Sequence, residues 1–480
     1  MSERVLAATR VAALIGDFDR SPAYRGLAEG LRVLITDGRV PTGVRLPSER
    51  ELTDALGVSR TTVTRAYAEL RERGFLTSRQ GSGSVASLPE SRGLRGDHLL
   101  PPSMQPAGRI DLTCAAPVPG SGILSAYERA VAELPRYLTG SGYFPSGLPE
   151  LREAVADRYA ARGLATDPEQ VMIVPGAMSG VAVATRALVR RGARTVVESP
   201  TYPNGIAALR HSGARLVSSD VDREDPQVGH LLEVVDQSRP ALAYLVPDFH
   251  NPTGHLMDDG ARQQVSRHLA DAGGRAVIDE SMVDLPLDGQ EMPAPFAAYS
   301  PDSVTVGSLS KPFWGGLRIG WIRAPHELMD ALFRARLSLD LGTPLLEQLV
   351  ATDLIRTGAG LLAQRREHLR SSREAAVAAL AEHLPEWKVR KPGGGLSLWC
   401  ELPDAGAHSS DLVPYAAGRD VAIVPGPAFA PEGGLDRFLR IPFTAPAHVI
   451  EDAIARIAVA WRDAPAGRGV SRRTSPTLVA

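Results

Sequence analysis

The chain has 480 residues, with 53 Lys and Arg against 55 Asp and Glu, a formal net charge of −2, 44% hydrophobic and 22% charged residues. That length exceeds what one hydrophobic core holds and that balance excludes global disorder, so two or more folded domains are expected. Two cysteines, Cys114 and Cys400, exclude a disulfide framework and a cysteine-based metal site, and the neutral charge excludes a globally basic nucleic-acid binder while permitting a locally basic module.

No apolar run approaches the ~18–20 residues that span a bilayer. The apolar stretch Val11–Ile15 is too short for a signal-peptide core, so a cytoplasmic address without membrane attachment is expected. The first periodic segment is Tyr24–Gly38, with Leu27, Leu31, Leu34 and Ile35 on one helical face. Ser48-Glu49-Arg50-Glu51 is a capping box opening a second helix that Gly57 stops. Ser59 can cap a third, in which Val63, Ala66, Tyr67 and Leu70 fall at i, i+3, i+4 and i+7. Gly74 ends it, and two short strands, Phe75–Ser78 and Ser84–Ser87, follow around a glycine-rich tip. Residues 89–109 have neither period and read as a linker rich in Pro, Gly and Arg, and residues 466–480 read as a disordered tail.

Beyond the linker, strands and helices alternate. Val171–Val174, Thr195–Glu198, Leu242–Val246, Ala276–Asp279, Val304–Ser308 and Ile319–Arg323 are the clearest strands, with helical patterns such as Gly180–Arg190 and Asp258–Ala270 between them. This alternation predicts an α/β domain on a mostly parallel sheet. From about residue 325 the pattern turns helical, then mixed, as in a smaller α+β subdomain. The expected division is 1–88 for the first domain, 89–109 for the linker, 110–465 for the second and 466–480 for the tail.

Three helices and a glycine-hinged hairpin make an α+β winged helix-turn-helix. Between residues 45 and 87 there are seven arginines against five acids. The third helix turns its apolar stripe inward and presents Arg60, Thr61, Thr62, Thr64 and Arg65. Arginine can hold guanine bidentately, and threonine can bind phosphate or a thymine methyl. Residues 47–84, PSERELTDALGVSRTTVTRAYAELRERGFLTSRQGSGS, resemble the DNA-binding domain of the GntR family of bacterial regulators. The resemblance implies contacts to double-stranded DNA from Arg50, Ser59, Arg60, Thr61 and Thr62, and from Gln80 and Gly81 in the wing.

In the second domain Lys311 leaves a buried strand among hydroxyls and glycines, in SLSKPFWGGLRIG. A buried lysine has a lowered pKa, so its neutral amine can form a Schiff base with an aldehyde. Nearby hydroxyls and Arg318 suit a phosphate monoester. Together these describe pyridoxal 5′-phosphate (PLP). Val171–Val174 runs through Pro175-Gly176 into a helix start, an anion site. Asp279 ends a strand where α/β sheets hold ligands and can keep a pyridinium nitrogen protonated.

These pieces, with YFPSGLPELR from Tyr143, PTYP from Pro200, HNPTG from His250 and Leu439-Arg440-Ile441, resemble the fold type I PLP enzymes of the aspartate aminotransferase superfamily. The resemblance implies that Lys311 carries the Schiff base and Asp279 pairs with the pyridinium. It further implies that Tyr202 stacks on the ring, Asn251 binds its 3′-oxygen, and Ala177, Met178, Ser308, Ser310 and Arg318 hold the phosphate. Tyr143 would reach the partner subunit's cofactor, which implies a homodimer, and Arg440 would grip a carboxylate. One departure stands out. The tyrosine usual two or three residues after the aspartate is replaced by Ser281 and Met282, so slow transamination is expected.

The two modules in one chain resemble the MocR subfamily of regulators. A PLP-dependent transcription factor whose second half senses PLP or an amino compound is therefore expected, with at most weak transaminase activity. The alternative is a working aminotransferase carrying a DNA-binding module.

Overall fold

In the computed structural model, residues 6–36, 39–40, 44–79, 83–86, 108–221, 228–404 and 407–464 are described. Most of the expected linker, the tail, Ser87, Gln80 and Gly81 lie outside the described residues. The chain divides into two compact units, one of residues 1–97 with 119–128, the other of residues 98–118 with 129–480.

The first unit carries α1 (Ala8–Ile15), α2 (Ala23–Thr36), α3 (Glu49–Leu56), α4 (Arg60–Glu72) and the hairpin β1 (Leu76–Arg79) with β2 (Gly83–Ala86). The sequence reading did not place α1; its eight residues bury Val11 alone, too little apolar periodicity to stand out. Ser48 and Glu51 form the expected reciprocal capping box on α3, and Gly57 ends that helix in the left-handed region at φ 63°. The apolar stripe of α4 (Val63, Ala66, Tyr67 and Leu70) meets Leu27, Leu31 and Leu34 of α2 in one core. Tyr67 buries its ring because its hydroxyl finds a partner, donating to the Pro47 carbonyl at 2.8 Å. Residues 44–46 flank the hairpin, with Leu46 N–H donating to Ser84 O and Ala86 N–H to Val44 O.

The second unit is built on a seven-stranded sheet. Its strands are β3 (Val171–Val174), β4 (Arg194–Ser199), β5 (Arg215–Asp220), β6 (Leu242–Leu245), β7 (Arg275–Asp279), β8 (Val304–Ser308) and β9 (Gly320–Arg323), in the order β3-β9-β8-β7-β6-β4-β5. All run parallel except β9, which lies antiparallel between β3 and β8. The crossovers include α5 (Ala177–Leu188), α6 (Pro203–His211) and α7 (Asp259–Ala272). Helix α5 starts three residues before the expected Gly180, because the turn at Gly176, φ 84°, comes directly after β3. The edge strand β5 went unread in the sequence; RLVSSD has no buried alternation and only Ser219 is fully buried.

A smaller layer follows. It contains the long helix α8 (Ala359–His383), a sheet of β10 (Lys388–Val389), β11 (Ser397–Glu401), β12 (Val424–Pro425) and β13 (Phe438–Pro442) in the order β10-β11-β13-β12, and α9 (Ala447–Asp463). Leu398, Cys400, Leu439 and Ile441 from its strands and Ile450, Ile454 and Ile457 from α9 close one core. Among the described residues no helix is long and apolar enough to cross a membrane.

Candidate functional site

In the first unit, packing the stripe of α4 inward leaves Arg60 and Thr61 exposed at its first turn, beside exposed Arg50 on α3. Ser59 is the N-cap: its hydroxyl accepts from Thr62 N–H at 3.1 Å and lies 2.8 Å from the Thr62 hydroxyl. Two residues that the sequence placed on the same face have partners within the unit. Thr64 donates to Glu49 at 2.7 Å, and the Arg65 guanidinium lies 4.9 Å from the Tyr24 ring centre. Arg50, Arg60 and Thr61 are exposed and make no side-chain hydrogen bond or ion pair among the described residues.

In the second unit the carboxyl ends of the parallel strands converge on a cavity of about 380 Å³. Its walls include Ala177 and Met178 after β3, Tyr202 and Asn204 after β4, and Val246 and Asn251 after β6. Asp279, Ser281 and Met282 follow from β7, and Ser308, Ser310 and Lys311 from β8. Arg318 completes the ring, because β9 is antiparallel and its first end meets the last ends of its neighbours.

One end of the cavity is built for an anion. The first amides of α5 have no partner inside the helix, and Gly176 offers no side-chain cap. Ser308 donates to Ser310 at 3.0 Å and accepts from its amide at 3.1 Å. Arg318, held at φ 50°, donates to Pro175 O at 2.9 Å, and a Cβ added to Gly176 would come within 2.5 Å of its guanidinium. Glycine is thus required for Arg318 to reach the α5 start.

The same cavity holds the amine and the carboxylate. Lys311 Nζ donates to Ala115 O at 3.1 Å, and desolvation in the cavity pulls its pKa down to about 8. Asp279 accepts from Ser281 N–H at 2.9 Å on one oxygen and from the Tyr244 hydroxyl at 3.0 Å on the other. Tyr244 keeps its proton, because burial and the Asp279 charge raise its pKa well above the ordinary value.

The sequence reading missed Tyr244, Asn204 and Ala115. Asn204 donates to the Tyr202 hydroxyl at 2.8 Å, a two-residue spacing visible in PTYPN. Tyr244 carried one signal, the glycine at 205: a Cβ there would lie 2.9–3.0 Å from the Tyr244 ring. Tyr244→Phe is expected to leave one oxygen of a buried carboxylate unsatisfied. The second unit of the cofactor-free protein should lose roughly 1–3 kcal/mol in denaturant unfolding; an unchanged midpoint and slope would show that the bond contributes nothing.

Two expected site residues stand outside the cavity walls. Tyr143 is 64% exposed. Arg440 is fully buried behind Asn251, donating to its Oδ1 at 3.4 Å and to Thr113 O at 2.5 Å over the Phe429 ring. Its Nε has no partner among the described residues, and burial lowers its pKa to about 10. With Asn251 Oδ1 taken by Arg440, the Asn251 amide nitrogen is the atom left to donate into the cavity.

Residues 131–457 match the aminotransferase class I and II family, and residues 23–85 match the bacterial regulatory proteins of the gntR family. The probable rhizopine catabolism regulatory protein MocR of Rhizobium meliloti is 30% identical over 76% of this chain and 78% of its own. The 2-aminoadipate transaminase of Thermus thermophilus is 31% identical over 64% of this chain and 76% of its own. Among solved structures, the α-aminoadipate aminotransferase LysN from Thermus thermophilus, complexed with N-(5′-phosphopyridoxyl)-L-leucine, superposes with a TM-score of 0.68. It is 28% identical, with 74% of this chain and 92% of LysN covered. The cofactor is PLP, and the cavity fits it: its walls bring together an anion cradle, an amine, a carboxylate and the Tyr202 ring. The chain belongs to the aminotransferase class I and II family and joins that domain to a GntR-type winged helix, the architecture of the MocR-type regulators.

Proposed function

We propose that the protein is a PLP-dependent transcriptional regulator in which the winged helix reads DNA and the aminotransferase-like unit senses PLP or an amino compound. The observation that carries this reading is the presence in one chain of an exposed Arg50, Arg60 and Thr61 face and a cavity equipped with Lys311 and Asp279. PLP supplies an aldehyde that condenses with amines and a ring that withdraws electrons. The α5 start, Ser308, Ser310 and Arg318 bind its phosphate, and Tyr202 covers the ring. Asp279, fixed by Ser281 and Tyr244, holds a proton at the ring nitrogen. Asn251 donates to the 3′-oxygen. Lys311 would hold the cofactor through its amine and would be the base that moves a proton. Ser281 and Met282 offer no phenol to the 3′-oxygen, so the ring is oriented by fewer donors and proton transfer is slow.

Homodimerisation follows the same reading. Tyr143, Leu138 and Val131 are more than half exposed, so the surface near residues 131–143 offers apolar side chains to a second copy, whose cofactor Tyr143 would reach. Two winged helices then meet two half-sites.

The test pairs DNA binding, measured with and without PLP and a panel of amines, with a keto-acid assay. Operator affinity or footprint that changes with the ligand, at negligible turnover, is expected. Sustained turnover near ~1 s⁻¹ with DNA binding indifferent to every ligand and to PLP removal would replace the regulator with a working aminotransferase, which Lys311 and Asp279 are placed to support.

A further inference from the structure

The second unit holds another cavity, of about 850 Å³, which shares no lining residue with the first. It opens between the loop that follows β6 and the small layer at β10 and β11. Three aromatic side chains line it: Phe249, Trp399 and Phe438. Trp399 and Phe438 stack on each other at 5.4 Å with an interplanar angle of 12° and are buried, so they back the cavity as apolar lining.

Its charges are unequally committed. Asp258 caps α7 through Ala261 N–H at 2.7 Å, Asp288 pairs with Arg373 at 3.0 Å and Glu401 with Arg437 at 2.9 Å. Lys391 is bound to Glu374 at 2.8 Å. Lys388 and Arg390 make no ion pair or side-chain hydrogen bond among the described residues, although both line the cavity. Two residues apart along an extended segment, they point to the same side. Two uncommitted cations beside an apolar aromatic lining suit an organic anion with an apolar body.

The cavity also touches the first one through a single turn. Residues 249–255 are closed by His250 N–H donating to His255 O at 2.7 Å and Gly254 N–H to His250 O at 2.6 Å. Phe249 and His255 line the second cavity, and Asn251 between them lines the first. Phe249 sits at φ 48°, a strained setting for a bulky residue. Gly254 meets the small layer so closely that an added Cβ would lie 2.4 Å from Pro392. The turn is too tightly packed for one side to shift alone.

We propose that this second cavity binds a small aromatic carboxylate, with Lys388 and Arg390 on the carboxylate and the apolar lining of Phe249, Trp399 and Phe438 behind its ring, and that the 249–255 turn relays its occupancy to Asn251. The relay, though not the binding, rests on the sensor reading given above. Full-length PLP-loaded protein is titrated with 2-naphthoate by calorimetry while the visible cofactor band is followed. One site per chain is expected, weakened at least about tenfold in the Lys388→Glu/Arg390→Glu double variant, the size of one lost charge-assisted contact. Lys388→Arg/Arg390→Lys should retain binding. Equal affinity in the charge-reversed variant, with its cofactor band intact, or no binding to either protein, overturns the site. Binding that leaves the cofactor band unmoved overturns the relay. Neither failure touches the amine-dependent DNA test, so the two readings fall separately.

Discussion

Lys311→Ala should yield a folded protein with no covalent link to PLP. The proposed phosphate cradle at α5, Ser308, Ser310 and Arg318 is independent of the lysine, so the cofactor should still associate reversibly. Borohydride treatment followed by mass measurement reads the difference: wild type gains a pyridoxyl adduct at Lys311, and the variant gains none there. An adduct of the same yield in the variant would move the Schiff base to another lysine. The same amine has a pH signature. Its pKa lies at about 8 rather than the ordinary 10.5 because the charged form is desolvated in the cavity. The neutral, reactive amine therefore accumulates as pH rises through about 8. Adduct formation by the cofactor-free protein should rise to a plateau across that value; a rise centred near 10 would mean a fully hydrated lysine.

Arg60→Ala should weaken operator binding by roughly 1–3 kcal/mol, about 5- to 150-fold, if Arg60 pairs with a guanine. Its burial-free position at the first turn of α4 makes the truncation harmless to the core formed by Val63, Ala66, Tyr67 and Leu70. Fluorescence anisotropy against a genomic fragment captured by wild type, and against its single-base variants, distinguishes two contacts. Base reading relaxes the preference at one position per half-site. A phosphate contact lowers affinity for all sequences alike and makes the salt dependence shallower. Unchanged affinity would exclude Arg60 from both roles.

The strand-end chemistry was legible because it is local. Lys311 and Asp279 each close a short buried run, and the capping box before α3 is a four-residue pattern that depends on nothing distant. Tyr244 was hidden for the opposite reason. It stands among Leu242, Ala243 and Leu245 as one more buried residue, and only the pairing of β6 with β7 brings its hydroxyl to Asp279. Arg440 shows the same limit. Its neighbours in sequence mark a buried strand, but its position behind Asn251 depends on a contact across 189 residues. The strand β5 was invisible because an edge strand with RLVSSD buries too little to impose a period on its sequence.

The reversed direction of β9 places Lys311 and Arg318, the proposed covalent anchor and phosphate clamp, on one β-hairpin. Lys311 and Arg318 are seven residues apart on the connection between β8 and β9, and its length fixes the spacing of the two groups as a ruler would. Apart from Ser308 and Ser310 on the same hairpin, the remaining contributors arrive on separate crossovers, each free to drift in length without disturbing the others. Insertions and deletions should therefore be tolerated unevenly around the cavity: most loops can be lengthened at the expense of one contact, whereas a single residue added between 311 and 318 displaces the amine and the guanidinium together.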